Sequence, residues 1–306
     1  MSKNNLDRGK MEFVKKAPVF GGVSLLLVLL SLALIFTKGF NYGIDFSGGT
    51  EVQVKFDKAV QADEIRSLVK DLGLEKASVQ AFGEDNEFLI RTESIQGANQ
   101  AETTALVNQT VKKVTEGLKT KYAGAELRRV NSVGPQIGAE LRSNGMLAIF
   151  YSLIMILIYV GFRFDYQFAP GAVICLFHDA IITLGVFSLL GKEVNVQTLA
   201  AILTIIGYSL NDTIVNFDRI RENIPLYKQK ALEFVVNRSI NDVLSRTVLT
   251  SITTLIAVAC LYFIGTGVIK DLAFTLAIGV VVGTYSSIYV ASPLTIFFDK
   301  LISSKG

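Results

Sequence analysis

The sequence predicts a polytopic α-helical membrane protein with six transmembrane helices and one α+β domain between the first and second helices. Six stretches of 20 to 27 residues contain no Lys, Arg or Glu, and a bilayer core requires about 20 apolar residues per helix. Basic residues gather in the loops on one side of these stretches, and the long segment after the first stretch alternates strand and helix patterns. This distribution excludes a soluble enzyme.

The first apolar stretch covers 17–37 and follows Lys10, Lys15 and Lys16, as the core of a signal peptide would. The run is too long for a signal peptide, and no small-residue cleavage site precedes Lys38. We therefore expect a retained first transmembrane helix after a tail at 1–16.

Residues 38–142 have the pattern of a separate domain. Val52, Val54 and Phe56 alternate with polar residues, which indicates a half-buried strand. The predicted strands and helices lie, in order, at 51–56, 65–72, 78–82, 88–92, 107–122 and 125–130, with a hairpin turn at 83–86. The order strand, helix, strand, strand, helix, strand is typical of a ferredoxin-like fold.

This α+β domain carries little chemistry. It contains no His or Cys, and its 14 basic and 15 acidic residues nearly cancel, so nothing in it indicates a metal, nucleotide or nucleic-acid site. We interpret the domain as a contact module, with a small-molecule pocket as the alternative.

The orientation in the membrane follows from the short loops, because Lys and Arg remain on the cytoplasmic side. One side carries fourteen Lys and Arg residues, whereas the other has only Lys192 and Lys270. We expect both termini in the cytoplasm and a periplasmic α+β domain. Helices 2 to 6 are then expected within 143–298, followed by a tail at 299–306.

The segment 226–246 has apolar residues at helical spacing with basic residues nearby. This pattern predicts an amphipathic helix that lies on the cytoplasmic leaflet and runs directly into Arg246. It could simply anchor the loop, or it could transmit movement to the fifth span.

Span four contains the sharpest functional candidate. An ionisable residue inside a span costs about 2.5–3.5 kcal/mol on insertion scales, so it indicates function by default. Around Asp212, polar residues recur at three- and four-residue spacing and form one stripe that must face protein or water. The members of this stripe are Tyr208, Ser209, Asp212, Thr213 and Asn216. The alternative is that Asp212 is only a buried hydrogen-bonding residue.

Span five begins with Arg246, and a second polar stripe that includes Thr250 follows it. Arg cannot lose its proton in a protein, whereas a desolvated carboxylate can gain or lose one. Asp212 would then carry the proton, and Arg246 would be the fixed charge that stabilises its ionised form. Arg246 could equally be an end-of-helix residue whose charge reaches the interface.

His178 and Asp179 form the other ionisable pair inside a span. Adjacent helical residues point about 100° apart, so we expect the two side chains not to form one pair. They are candidates for a proton path or for helix–helix hydrogen bonds. The Gly279-x3-Gly283 spacing in span six predicts a small-residue packing face.

Nucleotide-driven chemistry finds no support in the sequence. The nearest approach to a phosphate-binding loop is Gly185 with Gly191-Lys192, but the spacing is wrong and Glu193 follows. We expect no cofactor and no metal site, and any work must draw on a partner or an ion gradient.

Three segments carry a family resemblance. Residues 43–50 (GIDFSGGT), 132–135 (SVGP) and 206–215 (IGYSLNDTIV) with 218–223 (DRIREN) resemble the SecF family of the bacterial Sec protein-export machinery. The span-four motif is highly specific, whereas the glycine motif is shared with the sister family SecD. The resemblance covers essentially the whole chain.

The resemblance implies a proton-driven accessory to the Sec translocon, distantly similar to resistance-nodulation-division exporters. It implies SecD and the SecYEG channel as partners, an exported polypeptide as cargo, and a location in the bacterial inner membrane among its lipids. In that family the span-four aspartate and the arginine opening span five are implicated in proton passage, and they match Asp212 and Arg246 here. A further aspartate belongs to SecD, so this chain would hold part of the conduit. The alternatives are a half-size proton-coupled exporter of small molecules and a structural subunit without ion coupling.

Overall fold

The structure is a computed structural model and describes residues 11–82, 86–93, 97–164 and 168–303. In chain order the elements are α1 (Phe13–Lys38), β1 (Asn41–Tyr42), α2 (Ile44–Ser47), β2 (Gly49–Lys55), α3 (Ala62–Asp71), β3 (Ser78–Ala81), β4 (Glu87–Thr92), α4 (Gln100–Lys121), β5 (Glu126–Val133), α5 (Pro135–Arg163), α6 (Ala169–Leu190), β6 (Glu193–Val194), α7 (Val196–Leu226), α8 (Leu232–Ile264), α9 (Gly267–Ser286), a π-helical turn (Ser287–Ala291) and α10 (Ser292–Ser303).

Six helices of the described chain are long and apolar enough to cross a membrane. They are α1, α5, α6, α7, α8 and the run from α9 through the π-turn into α10. The prediction of six spans is therefore confirmed. α5 begins at Pro135, earlier than the apolar stretch suggests, because Pro is well suited to the first helical position after Gly134.

The α+β domain is ferredoxin-like, as the pattern predicts. Its four strands lie in the order β3-β4-β2-β5, and every pair is antiparallel. Val52 at the centre pairs with Ile90 on one side and Val130 on the other. Helices α3 and α4 contribute Ile65, Val69, Val114 and Leu118 to the core on one face of the sheet. Residues 83–85 of the predicted hairpin turn lie outside the described residues, as do 1–10 and 304–306 of the predicted tails.

A second, two-stranded sheet was not predicted. β1 follows α1 and pairs in parallel with β6, which lies between α6 and α7. The pairing is only two residues long, too short for any periodicity to reveal it. It joins the entry to the α+β domain to a loop of the membrane bundle.

Helix α7 occupies the centre of the bundle and contacts α5, α6, α8 and α9. Near its end, Phe217 packs against Phe164 and Phe168 with ring centroids 5.9 and 5.0 Å away. The side chain of Phe217 is fully buried. α7 is therefore the span whose polar stripe meets protein on the most sides.

The amphipathic segment predicted at 226–246 divides between two elements. Leu226 is the last residue of α7, and residues 232–246 form the first part of α8, one continuous helix of 33 residues that runs on into the fifth span. The helix contains no Gly or Pro to interrupt it. Its apolar residues Val235, Val236 and Ile240 are buried, and Val236 and Ile240 belong to the cluster that contains Phe13 and Ile220. This stripe therefore packs inward on α1 and α7 and not, as predicted, on the leaflet.

The start of α1 is capped by side chains from α8. Asn237 Oδ1 accepts hydrogen bonds from Phe13 N at 2.7 Å and Val14 N at 3.2 Å. One turn later, Asn241 Oδ1 accepts from Met11 N at 3.0 Å. The first backbone N–H groups of a helix have no partner within it, so α8 satisfies the groups that α1 leaves free.

Replacing Asn237 by Leu should lower the free energy of unfolding by about 1–2 kcal/mol, because two backbone donors lose their acceptor. Thermal unfolding of the purified protein in mild detergent measures the change. Asn108→Ala on the exposed face of α4 is the control and should unfold as the native chain does. Equal unfolding of the Asn237 and Asn108 variants would contradict the capping role.

Candidate functional site

Four of the five residues of the polar stripe of α7 are buried. Ser209, Asp212, Thr213 and Asn216 are each at most 3% exposed, whereas Tyr208 is partly exposed. These four side chains therefore face protein, which is one of the two surroundings that the sequence predicts. The stripe lies on a helix that α6, α8 and α9 surround.

The Asp212 carboxylate has fewer hydrogen-bond partners than a buried carboxylate usually has. Its Oδ2 atom is buried and has no hydrogen-bond partner among the described residues. Thr213 Oγ1, on the next residue, and Asn216 Oδ1, one turn along, are also buried without partners among the described residues, as is Thr247 Oγ1 of α8. Buried polar atoms in proteins nearly always have a partner. The open oxygen of Asp212 is therefore suited to bind a transferable proton or a water.

Arg246 is the charged group that acts on Asp212. Its positive charge is within electrostatic range of the Asp212 carboxylate. They form no ion pair in the described part of the chain. Arg246 is exposed on α8 and lies inside that helix, not at its start. The geometry is that of two charges in mutual range but not in contact.

The two polar stripes meet at one point. Tyr208 Oη donates to Thr254 Oγ1 at 3.4 Å across α7 and α8. Thr250 bonds instead to its own helix, with Oγ1 donating to the carbonyl oxygen of Arg246 at 2.8 Å. Ser251 faces α9 and lies 2.6 Å from Thr284 Oγ1. Tyr208 therefore joins the stripes, while Thr250 makes no contact with α7 through a hydrogen bond in the described residues.

Asn216 connects the stripe to span six. Its Nδ2 atom donates to the carbonyl oxygen of Ser287 at 3.3 Å, and Ser287 is the first residue of the π-turn. π-turns inside α-helices occur often at functional sites because they leave a carbonyl free for another partner. No periodicity in the sequence indicates this turn.

Ser209 does not face Asp212. It donates to Asp179 Oδ2 of α6 at 2.5 Å, and Ser286 of α9 donates to the same oxygen at 2.9 Å. Ser286 also accepts from the thiol of Cys175 at 3.1 Å. Ser286 and Cys175 are not predicted as site residues. The sequence shows only that a polar Ser and a polarisable Cys lie inside spans.

The expectation that His178 and Asp179 cannot pair is wrong. His178 Nδ1 lies 2.9 Å from Asp179 Oδ1. Their Cβ atoms diverge around the helix, but rotation of the imidazole about its side-chain bonds is enough to bring the ring edge back to the carboxylate. The pair is at most 5% exposed.

The small-residue face of α9 lies against α7, as the glycine spacing predicts. A Cβ atom on Gly279 would lie 2.2 Å from Ile205 Cγ1, and one on Gly283 would lie 3.0 Å from Ser209 Cβ. These glycines let α9 approach closely enough for Ser286 to share Asp179 with Ser209.

The two glycine-containing loop motifs meet outside the bundle. Gly48 has φ +71, and a Cβ atom on it would lie 2.9 Å from the Cα atom of Pro135. The short helix α2 before it packs on α5. Close backbone approach, which the sequence suggested, is therefore the reason for glycine here, together with a left-handed conformation.

Replacing Gly48 by Val should destabilise the protein by about 1–3 kcal/mol, because a β-branched residue is strained at positive φ and its side chain meets backbone that cannot move aside. Unfolding in mild detergent measures the loss. Gly134→Ala is the matched control, since Gly134 has φ −68 and no atom near its Cβ position. A stable Gly48 variant alongside a stable Gly134 variant would contradict this explanation.

The α+β domain touches the bundle through charged groups as well. Arg91 on β4 forms ion pairs with Glu51 on β2 and with Glu193 on β6. All three side chains are at most 16% exposed. Exposed ion pairs contribute little to stability, and these pairs are much less exposed. A polar cleft of about 740 Å³ surrounds them between the sheet and the loops that precede α7 and α9.

Within the described residues, no group of three or more His, Cys, Asp or Glu side chains has the arrangement of a metal site. The four ionisable residues that the sequence singles out, Asp212, Arg246, His178 and Asp179, fall into two sets: Asp212 with Arg246, and His178 with Asp179.

Comparison with known proteins identifies the family to which this chain is similar. The family model of the C-terminal region of the protein export membrane proteins SecD/SecF matches residues 112–301. The family model of the SecD/SecF GG motif matches residues 33–60.

Two relatives, each a protein translocase subunit SecF, come from Desulfurispirillum indicum and Magnetococcus marinus. They are 47% identical over 280 residues and 48% identical over 278 residues, and each alignment covers 90% of this chain and 88% of the relative.

A crystal structure of SecDF, a translocon-associated membrane protein from Thermus thermophilus, matches with a TM-score of 0.84 and 37% identity. The match covers 96% of this chain but 39% of the solved chain. This chain therefore corresponds to less than half of that longer protein.

Proposed function

Because the chain belongs to the SecD/SecF family of protein-export membrane proteins, we propose that it is an accessory subunit of the Sec translocase that, paired with SecD, uses the proton gradient to assist polypeptide export. The observation that carries the proposal is the buried Asp212 carboxylate, with an unpartnered oxygen and within electrostatic range of Arg246. It is a multi-pass protein of the bacterial inner membrane.

In the proposed cycle, Asp212 binds a proton that enters from the outside and releases it to the cytoplasm. While ionised, the carboxylate is attracted to Arg246, which stays cationic. Protonation removes that attraction, so α7 and α8 repack at the interface where Tyr208 meets Thr254. Each helix contributes unpartnered polar atoms to this interface, so a change in charge there has few competing hydrogen bonds to break.

Three contacts are suited to carry such a movement to the α+β domain. They are the β1–β6 pairing, the packing of α2 on α5, and the Arg91–Glu193 ion pair. Two of the three involve the segment just before α7, so a shift of α7 acts on the domain through its own preceding loop. The periplasmic domain would thereby push or hold an emerging polypeptide.

The partners in this proposal are SecD, the SecYEG channel and the exported polypeptide, with both termini in the cytoplasm. The bare face of the sheet carries Glu51, Gln53 and Arg129 and lines the polar cleft, which suits contact with another protein. SecD would complete the proton conduit. The match to 39% of the longer SecDF chain supports a partner that corresponds to the rest of that chain.

Vesicles that contain SecYEG, SecD and this chain test the proposal. Export of a labelled polypeptide should rise when a proton gradient is imposed, and the rise should vanish when this chain is omitted. Purification in mild detergent should recover SecD with the chain. A gradient effect of the same size without the chain would refute the role in proton coupling, whereas purification without SecD would favour an independent exporter.

A further inference from the structure

A second ionisable site lies in the bundle apart from Asp212. Asp179 has no exposed surface and His178 is 5% exposed. His178 Nδ1 lies 2.9 Å from Asp179 Oδ1, while Ser209 and Ser286 donate to Oδ2. Groups from α6, α7 and α9 therefore converge on one carboxylate.

The groups around Asp179 can donate hydrogen bonds to an ionised carboxylate, but none of those described carries a fixed positive charge. An ionised carboxylate only accepts hydrogen bonds, and the imidazole and both hydroxyls can donate. In the described part of the chain, Asp179 pairs with His178 and with no Lys or Arg. An uncompensated charge inside a span is costly. A proton on the pair is the remaining means of neutralising it.

We propose that His178 and Asp179 together bind one proton and form a second proton-binding site in the membrane. The proton lies either on the imidazole, giving an imidazolium beside a carboxylate, or on the carboxyl oxygen beside a neutral imidazole. In both forms the pair is neutral as a whole, and Nδ1–Oδ1 remains a hydrogen bond.

The surroundings leave one polar atom of the pair open. His178 Nε2 is buried without a partner among the described residues, and His178 is one of the residues that line an apolar groove of about 780 Å³ between α1, α6 and span six. Other titratable groups near His178 are Cys175, Tyr285, whose ring centroid is 6.3 Å away, Tyr289, and Glu233 and Lys300 farther along the groove. Nε2 is thus the atom through which the pair can exchange its proton.

The second site is linked to the first through α7. Ser209 contacts Asp179, and Asp212 follows three residues later, on the same face one turn along. This link, unlike the binding of the proton itself, rests on the proposed proton-driven function. A shift of α7 when Asp212 changes charge would alter the donor that Asp179 receives from Ser209.

His178 is the one histidine of the chain, which makes the test specific. The full chain is labelled with 15N-histidine, placed in lipid bilayers together with SecD, and studied by NMR at about pH 8, where an ordinary imidazole with a pKa of about 6.5 is almost fully neutral. SecD is left unlabelled. Infrared difference spectra against Asp179→Asn, both in an Asp212→Asn background, report a protonated Asp179.

We expect either two protonated imidazole nitrogens in the native chain or a carboxylic-acid band that Asp179→Asn removes. If the imidazole carries the proton, Asp179→Asn should return it to the neutral form at the same pH, and Ser286→Ala, which keeps both partners, should not. A neutral imidazole together with no carboxylic-acid band would overturn the proposal. The NMR part of this result is obtained on the native chain.

The test of the second proton-binding site can fail or succeed independently of the test of the proposed function. If Asp212→Asn abolishes gradient-driven export but the pair holds no proton, the second site is refuted and the function stands. If the pair holds a proton but export ignores the gradient, the function is refuted and the site stands.

Discussion

Replacing Asp212 by Asn should abolish the gradient-dependent part of export while the protein remains folded and bound to SecD. Asn has nearly the same shape but cannot bind and release a proton. One charge crossing about 100 mV is worth about 2.3 kcal/mol, or about 50-fold in a two-state equilibrium. The variant should lose this contribution of the gradient. Comparing export in vesicles with and without an imposed gradient measures the loss.

Asp218→Asn is the matched control. It removes the same charge from the same helix, but Asp218 is at the rim, where its half-exposed side chain pairs with Arg163. An exposed ion pair contributes little, so this variant should export nearly as the native chain does. Retention of the gradient effect in Asp212→Asn, at normal protein level, would remove the carboxylate from the mechanism.

Replacing Arg246 by Gln should likewise remove most of the gradient dependence, and Arg246→Lys should restore part of it. The charge of Arg246 is the one that acts on Asp212, and Lys keeps that charge although it lacks the planar guanidinium. Gln removes the charge, so the ionised carboxylate loses its stabilising partner. Proton uptake by vesicles after a pH jump measures the difference.

Arg163→Gln is the control for loss of a basic side chain, because Arg163 is also half-exposed and pairs only with a rim carboxylate in the described part of the chain. Equal activity of Arg246→Gln and Arg246→Lys would show that the charge is not what matters. In that case Arg246 acts through packing along α8, and the electrostatic part of the proposal is wrong.

Much of this structure follows from local sequence patterns. The absence of charge over 20 or more residues predicts the spans, and strict alternation around Val52 predicts the central strand. The buried face of α7 follows from the spacing of Ser209, Asp212 and Asn216. These features depend on residues close together in the chain, so periodicity contains the information.

The features that were missed depend on contacts between distant segments. The pairing of β1 with β6, the capping of α1 by Asn237, and the meeting of Ser209 and Ser286 at Asp179 each join residues from different helices or loops. The amphipathic stripe of α8 was assigned to lipid because its pattern does not say which apolar surface covers it. Likewise, helix geometry alone gave the wrong separation for His178 and Asp179, since side-chain rotation decides it.

The continuity of α8 gives it a mechanical consequence. A helix of 33 residues is about 50 Å long, well beyond a hydrocarbon core of about 30 Å. Arg246 lies near its middle, and Asn237 and Asn241 grip the beginning of the chain's first span. A stiff helix of this length transmits movement along its whole axis, so a tilt of α8 that begins beside Asp212 would also displace the start of α1.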